Sequence, residues 1–297
     1  MYRKIMGFLE AWKESKHRKP LILQGARQVG KTYSILEFGR THYENVAYFN
    51  FETNPKLNET FEENISPDYL IPILSHIAGQ TIVKEKTLMV FDEVQLCERA
   101  LTSLKYFCEN APDYHIIVAG SLLGVAVNRA KFSFPVGKVD MKTLYPMDME
   151  EFMLALGEDD LVKQIKKCFQ TDTPLPSALH DAAMQLYRQY LVVGGMPECV
   201  MQFAGTKDYI LVRHTQDTIL ASYLNDMSKY NTLNEIKKTR LAYDNITVQL
   251  SKKNTRFQYK LIKKGGRASE FENAIEWLCL SGIVSQVYKV EQIKKAA

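Results

Sequence analysis

Eight consecutive residues, Gly25-Ala26-Arg27-Gln28-Val29-Gly30-Lys31-Thr32, have the types and spacing that phosphate binding requires. They satisfy the pattern G-x-x-x-x-G-K-[ST] in full, the phosphate-binding P-loop. Gly25 and Gly30 allow a tight turn and a close approach to oxygen atoms without a Cβ in the way. The loop amides and the N-terminus of the following helix would cradle phosphate. Lys31 would reach the β- and γ-phosphates of a nucleoside triphosphate, and the Thr32 hydroxyl would ligate Mg²⁺. The pattern needs a strand before it and a helix after it. The apolar run PLILQ (20–24) and a helical segment to about His42 meet that need.

A second set of chemical groups lies at Leu88-Met89-Val90-Phe91-Asp92-Glu93, four apolar residues running into two carboxylates. In doubly wound sheets, ligands bind at the C-terminal ends of the strands. Asp92 fits as a magnesium partner, acting at one remove or through water, and Glu93 is placed to polarise an attacking water. The same pair would also suit the start of a helix, where acidic groups face the positive end of the dipole. Ser121, after Ile116-Ile117-Val118-Ala119-Gly120, stands at the tip of another apolar strand. It could sense a γ-phosphate, cap the next helix, or do both.

The elements that must position these groups follow from periodicity. Ile5, Leu9 and Trp12, with Phe8 beside them, mark one face of a helix over 3–16. Residues 45–52, 87–91 and 114–120 read as strands, with two helical pieces broken at Pro67 (56–79) and a helix near 98–110 between them. The central runs lack in/out alternation, so the fold expected is α/β, with a parallel sheet covered on both faces. A last strand falls within 134–146. From Met147 the pattern turns helical, over 148–156, 159–169, 178–192 and 207–230. The expected division is a P-loop core over 1–147, a helical lid over 148–231, and a third segment over 232–297.

Composition sets the limits. The chain of 297 residues is 46% hydrophobic, enough for a substantial core, and its net charge of +4 does not by itself demand a nucleic-acid or membrane partner. Five cysteines, none in a C-x-x-C pair, argue against zinc and against a disulfide framework. Residues 1–17 are charged throughout, and no apolar run approaches the ~18 residues of a membrane span. The expectation is a cytoplasmic protein with no membrane partner.

Taken in order, LILQGARQVGKT, LMVFDEVQ, VAGSLLG, LYPMDMEEF and YLVVGGMPE resemble the AAA-domain ATPases of bacteria and archaea. In those proteins an AAA+ core precedes a C-terminal domain of unknown function. The resemblance covers about residues 3 to 290. It implies ATP with Mg²⁺ as ligands, Gly25–Thr32 as Walker A, Asp92 and Glu93 as Walker B, and Ser121 as the first sensor. It also implies that the Gly194-Gly195-Met196-Pro197 turn lies against the adenine, with Gly195 allowing the approach and Pro197 giving a rigid apolar surface. Two departures stand out. Lys138 replaces an arginine that would act on a neighbouring subunit of a homo-oligomer, leaving Arg129 as the other candidate finger. The chain also ends earlier than the family usually does, which suggests a truncated chain.

Residues 251–268 carry Lys252, Lys253, Arg256, Lys260, Lys263, Lys264 and Arg267 and no acid. A helix follows with Phe271, Ile275 and Leu278 on one side, and then IVSQVYKVEQI, which reads as a strand pair. Helix, turn, helix and wing is a winged-helix layout. Its basic segment, 252–267, suits either duplex DNA or plain solvation beside a protein client. The sequence therefore leaves three readings: an ATPase that couples hydrolysis to movement of lid and C-terminal domain, a slow nucleotide switch or adaptor, and a DNA-binding regulator assembled by ATP.

Overall fold

The computed structural model describes residues 1–120, 135–229, 233–252 and 256–288. The chain forms two compact units, Met1–Ser222 and Tyr223–Ala297.

The first unit is built on five parallel strands: β1 (Leu21–Gln24), β2 (Asn45–Asn50), β3 (Thr87–Asp92), β4 (His115–Ala119) and β5 (Asp140–Thr143). They lie in the order β2-β3-β4-β1-β5. Every residue of β3 and β4 is buried, as expected of strands covered on both faces. Side-chain alternation divides the core in two. Leu21, Leu23, Leu88, Val90, Ile117 and Ala119 enter one cluster with Ile5, Leu9 and Trp12 of α1 (Ile5–Glu14) and Ile35 and Phe38 of α2 (Lys31–His42). Ile22, Met89, Phe91, Ile116 and Val118 enter the other. There they meet α3 (Lys56–Glu63), α4 (Pro67–Ala78) and α5 (Glu98–Asn110). Pro67 opens α4 at its first helical position, where its missing N–H costs nothing.

After β5 the chain turns helical: α6 (Met149–Ala155), α7 (Asp159–Gln170), α8 (Ser177–Val193), α9 (Pro197–Thr206) and α10 (Tyr209–Lys229). Asp148 starts α6 with a reciprocal capping box: its carboxylate accepts the Glu151 N–H, and Glu151 accepts the Asp148 N–H. Met153, Leu161, Val162 and Leu186 give these helices a small core of their own. Sequence periodicity does not separate α9. Pro197 begins it two residues after Gly195, so punctuation hid the short helix.

The second unit begins within α10 and contains α11 (Leu233–Leu250) and α12 (Ala268–Leu280). Phe271, Ile275 and Leu278 are buried, as their spacing predicts. The Gln249 side chain accepts from the Gln258 N–H at 2.7 Å and donates to the Gln258 carbonyl at 3.1 Å, fastening the segment between the helices to α11. No strand occurs among the described residues of this unit. Of the predicted strand pair, residues 283–288 are irregular, and the remainder lies outside the described residues.

Phe91 packs edge to face on Phe49, Phe51 and Phe61, and Phe51 lies tilted against Phe61, with centroids 5.6–5.9 Å apart, joining α3 to the sheet. Phe61→Ala should therefore cost about 3–5 kcal/mol in chemical denaturation, because the fully buried ring leaves a cavity in a cluster already held by three other rings.

Candidate functional site

The site lies at the C-terminal ends of β1 and β3, which are separated by β4. Gly25 follows β1 with φ +149°, and a Cβ there would lie 2.2 Å from the Leu144 carbonyl oxygen. Leu144 N–H in turn donates to Gln24 O at 2.8 Å. Gly25 is thus required by the chain leaving β5, an approach that the motif alone did not reveal. Gly30, at φ +89°, closes the loop and begins α2.

Lys31 is 7% exposed, and its Nζ donates to Gly25 O at 2.9 Å and Ala26 O at 2.8 Å. Burial lowers its pKa to about 8. The negative charges of Glu93 and Asp92 work against that shift, and Arg27 adds to it. Val29 and Ala26 are buried in the core, and Gln28 adopts a left-handed backbone at φ +64°. The Gln28 side-chain oxygen accepts from Ser222 Oγ at 3.4 Å.

Thr32 Oγ donates to Asp92 Oδ2 at 2.9 Å, so the loop and the acidic strand meet directly. Asp92 is 5% exposed and also accepts from Tyr48 OH at 2.7 Å. Burial, with Asp92 assisting, pushes the Tyr48 phenol up to about 12, so it stays a donor. Glu93 follows in a left-handed conformation at φ +52°. Burial raises its carboxyl pKa and the neighbouring Asp92 charge adds to that, while the Gln95 hydrogen bond and Lys31 oppose it. Gln95 Nε2 donates to Glu93 Oε2. Gln95 Oε1 is buried with no partner among the described residues.

The Gly194–Pro197 turn lies beside the loop. Met147 N–H donates to Gly195 O at 2.6 Å, and a Cβ on Gly195 would fall 2.1 Å from Met147 O. Met196 packs on the cluster containing Ala26 and Val29. Pro197 Cγ lies 3.7 Å from the Cβ position of Gly30. Lys138 pairs with Glu109 of its own chain at 2.9 Å. Ser121 and Arg129 lie outside the described residues, although β4, which leads to Ser121, does lie between β1 and β3. In the second unit Lys252, Arg256, Lys260, Lys263, Lys264 and Arg267 are exposed, with Lys263 3.3 Å from Glu270. Lys253 lies outside the described residues.

Two contributors escaped the sequence reading. Tyr48 sits in a run that reads simply as a strand. Arg3, before α1, is 5% exposed and bonds the Val29 carbonyl of the loop. Neither belongs to a short motif. The available hints were a polar ring in an apolar strand and a basic residue next to a buried helix face.

The sheet order, the loop and the two acids define a P-loop nucleotide-binding fold. Residues 17–153 match a family model described as an AAA domain, and residues 184–296 match one described as a domain of unknown function. The chain thus carries an AAA-type P-loop domain followed by a region that matches that domain of unknown function. It is similar in structure to the Walker-type ATPase PABY2304 of Pyrococcus abyssi. The TM-score is 0.54 at 14% identity, over 94% of this chain and 89% of that one. Looser similarity extends to the Aeropyrum pernix ORC2 protein in ADPNP and ADP complexes. Here the TM-score is 0.45 at 12% identity, over 96% and 87% of the two chains. The Thermotoga maritima RuvB Holliday junction branch migration motor gives a TM-score of 0.40 at 13% identity, over 96% and 88%. No curated protein matches the sequence. Among the described residues, no helix is long and apolar enough to cross a membrane.

The lowered pKa of Lys31 sets a pH dependence. Phosphate binds the charged ammonium, so the Lys31 contribution to affinity should be constant below about pH 8. It should fall by up to about tenfold per unit above that, until the pKa of the bound state is reached. Calorimetric titration of ADP in buffers of different ionisation enthalpy should show net proton uptake that grows as the pH rises through 8.

Proposed function

We propose that this chain binds ATP with magnesium and hydrolyses it to ADP and phosphate. The observation that carries this reading is the 2.9 Å contact between Thr32 Oγ and Asp92 Oδ2, with Glu93 next in the chain. Two oxygen donors brought together across the sheet suit a hard cation such as Mg²⁺. When bound, that ion would offset the charge developing on the transferring phosphoryl group.

The residues divide the work. The Gly25–Thr32 loop, through Ala26, Arg27, Gln28, Val29 and Gly30, supplies amides for the phosphates, with α2 adding its positive N-terminal end. Lys31 exchanges its bonds to Gly25 O and Ala26 O for phosphate oxygens. Glu93 takes a proton from water as the water oxygen bonds to the γ-phosphorus. The bridging oxygen departs with ADP, and Lys31 and the loop stabilise its charge. The raised Glu93 pKa makes this carboxylate a stronger base than an exposed one. Ser121 would sense the γ-phosphate, and Gly195 and Pro197 would border the base. This reading keeps the lid over 148–231 and lets hydrolysis move it and the C-terminal segment. Lys138, already paired with Glu109, would have to leave that partner to act on a neighbouring subunit.

Glu93→Gln should keep nucleotide affinity within about threefold and lower kcat at least about a hundredfold. Lys31→Ala should lose both binding and turnover. A fluorescent ADP titration and a phosphate-release assay would measure them, and a Lys31→Ala variant with normal turnover would dismiss the assignment.

The exposed basic side chains favour a second reading, in which ATP governs assembly on duplex DNA. Duplex binding through residues 252–267 should weaken steeply with salt, and neutralising Lys260, Lys263 and Lys264 together should flatten that slope. Filter binding over a salt series would test this, and a salt-independent affinity would remove DNA in favour of a protein client.

A further inference from the structure

We infer that Arg3 is a positioning residue for nucleotide binding, holding the outer side of the phosphate loop and tying it to the first helix after the sheet. The inference rests on the reading of that loop as an ATP site.

The guanidinium of Arg3 reaches three segments of chain. Nη1 donates to Val29 O at 2.9 Å, Nη2 to Tyr145 O at 2.7 Å, and Nε to Glu151 Oε1 at 3.1 Å. Both partners of the ion pair have side chains 6% exposed. Only a planar fork with several N–H groups in fixed directions can make these contacts together; a lysine ammonium at the end of a flexible stem cannot. Nη1 also lies 3.7 Å from the Cβ position of Gly30.

The consequence for the loop follows from peptide geometry. The Val29–Gly30 peptide is trans, so its C=O and N–H point in opposite directions. Fixing the Val29 oxygen on Arg3 turns the Gly30 N–H away from Arg3, to the side on which the loop would take a phosphate. Without Arg3 this peptide loses the bond that sets its orientation.

The other end of the strut is equally built. Glu151 Oε1 also accepts the Lys4 N–H at 2.7 Å, and Oε2 accepts the Asp148 N–H at 3.2 Å. Lys4 Nζ reaches Asp148 at 2.7 Å and Glu150 at 2.8 Å. A buried ion pair is a poor means of stabilising a fold, since its desolvation offsets its attraction. Its value here is directional: it fixes the fork, and the fork fixes the loop.

The test uses the full chain and three variants: Arg3→Met, Arg3→Lys, and the double variant Arg3→Met/Glu151→Gln. Thermal melting is measured with fluorescent ADP titration and steady-state ATP hydrolysis. Arg3→Met should melt early, because Glu151 is left charged and unpaired. The double variant buries no lone charge and keeps an acceptor for the cap, so its melting temperature should recover. Its nucleotide affinity should not recover: Kd and KM should stay about tenfold above wild type, with kcat changed by less than about threefold. Arg3→Lys should weaken binding by at least about threefold while folding normally. A double variant that melts like wild type and binds within about twofold of it would overturn the proposal. If the Met variants do not fold, Arg3→Lys decides by the same twofold limit. Failure of the ATP reading looks different: wild type itself would not bind nucleotide, or Lys31→Ala would bind as tightly as wild type.

Discussion

The burial of one positive charge, the Lys31 ammonium, constrains everything around it. A cation removed from water needs acceptors, and the loop supplies them as the carbonyls of Gly25 and Ala26. Those carbonyls can turn inward only because the loop backbone is free to take unusual angles. The acids at the end of β3 add an opposing field, yet the pKa of Lys31 still falls to about 8. The loop therefore holds its lysine with less than full electrostatic compensation. A phosphate group would supply the missing negative charge, so ligand binding relieves a cost already present in the folded chain.

The sheet places that charge. Alternation along β1, β3 and β4 sends successive side chains into two cores, and the same period fixes which strand ends come together. With β4 between β1 and β3, the loop and the acids do not compete for one strand end. They reach each other through side chains, Thr32 to Asp92, rather than through backbone. Tyr48 then holds the other flank of Asp92 from the edge strand β2. A carboxylate with two donors on one oxygen has little rotational freedom left, which is what a metal-holding group requires.

Much of this was legible in the sequence because it is local. Gly25–Thr32, the run into Asp92-Glu93, the break between helices at Pro67 and the spacing of Phe271, Ile275 and Leu278 each depend on neighbours within a turn or two. What escaped depends on residues far apart in the chain. Arg3 meets Glu151 at a separation of 148 residues, and Tyr48 meets Asp92 across 44. Gly25 has a second reason to lack a side chain that its motif does not carry: the Leu144 carbonyl oxygen, far along the chain, comes close to it. Helix α9 was missed for a local reason, since the Gly-Gly-Met-Pro sequence looks like a turn and also contains a helix start.

The contacts around Met147 limit how the helices after the sheet can move. Met147 is tied to Gly195 through its N–H, and Tyr190 OH donates to its carbonyl at 2.8 Å. Glu151 is fixed to Arg3 and Lys4, and Pro197 lies against the Gly30 end of the loop. A rotation of α6–α9 as one body about the end of β5 would carry the Met147 bonds along but would break the buried Arg3–Glu151 ion pair, the Lys4–Glu151 bond and the Pro197 contact together. Such a cost favours movement that leaves α6 and the start of α9 in place. A signal leaving the phosphate loop would then travel through Val29 and Arg3 to Glu151, and through Pro197 into α9, before any larger displacement begins. On this view the turn beside the loop is a fixed point against which the rest would move.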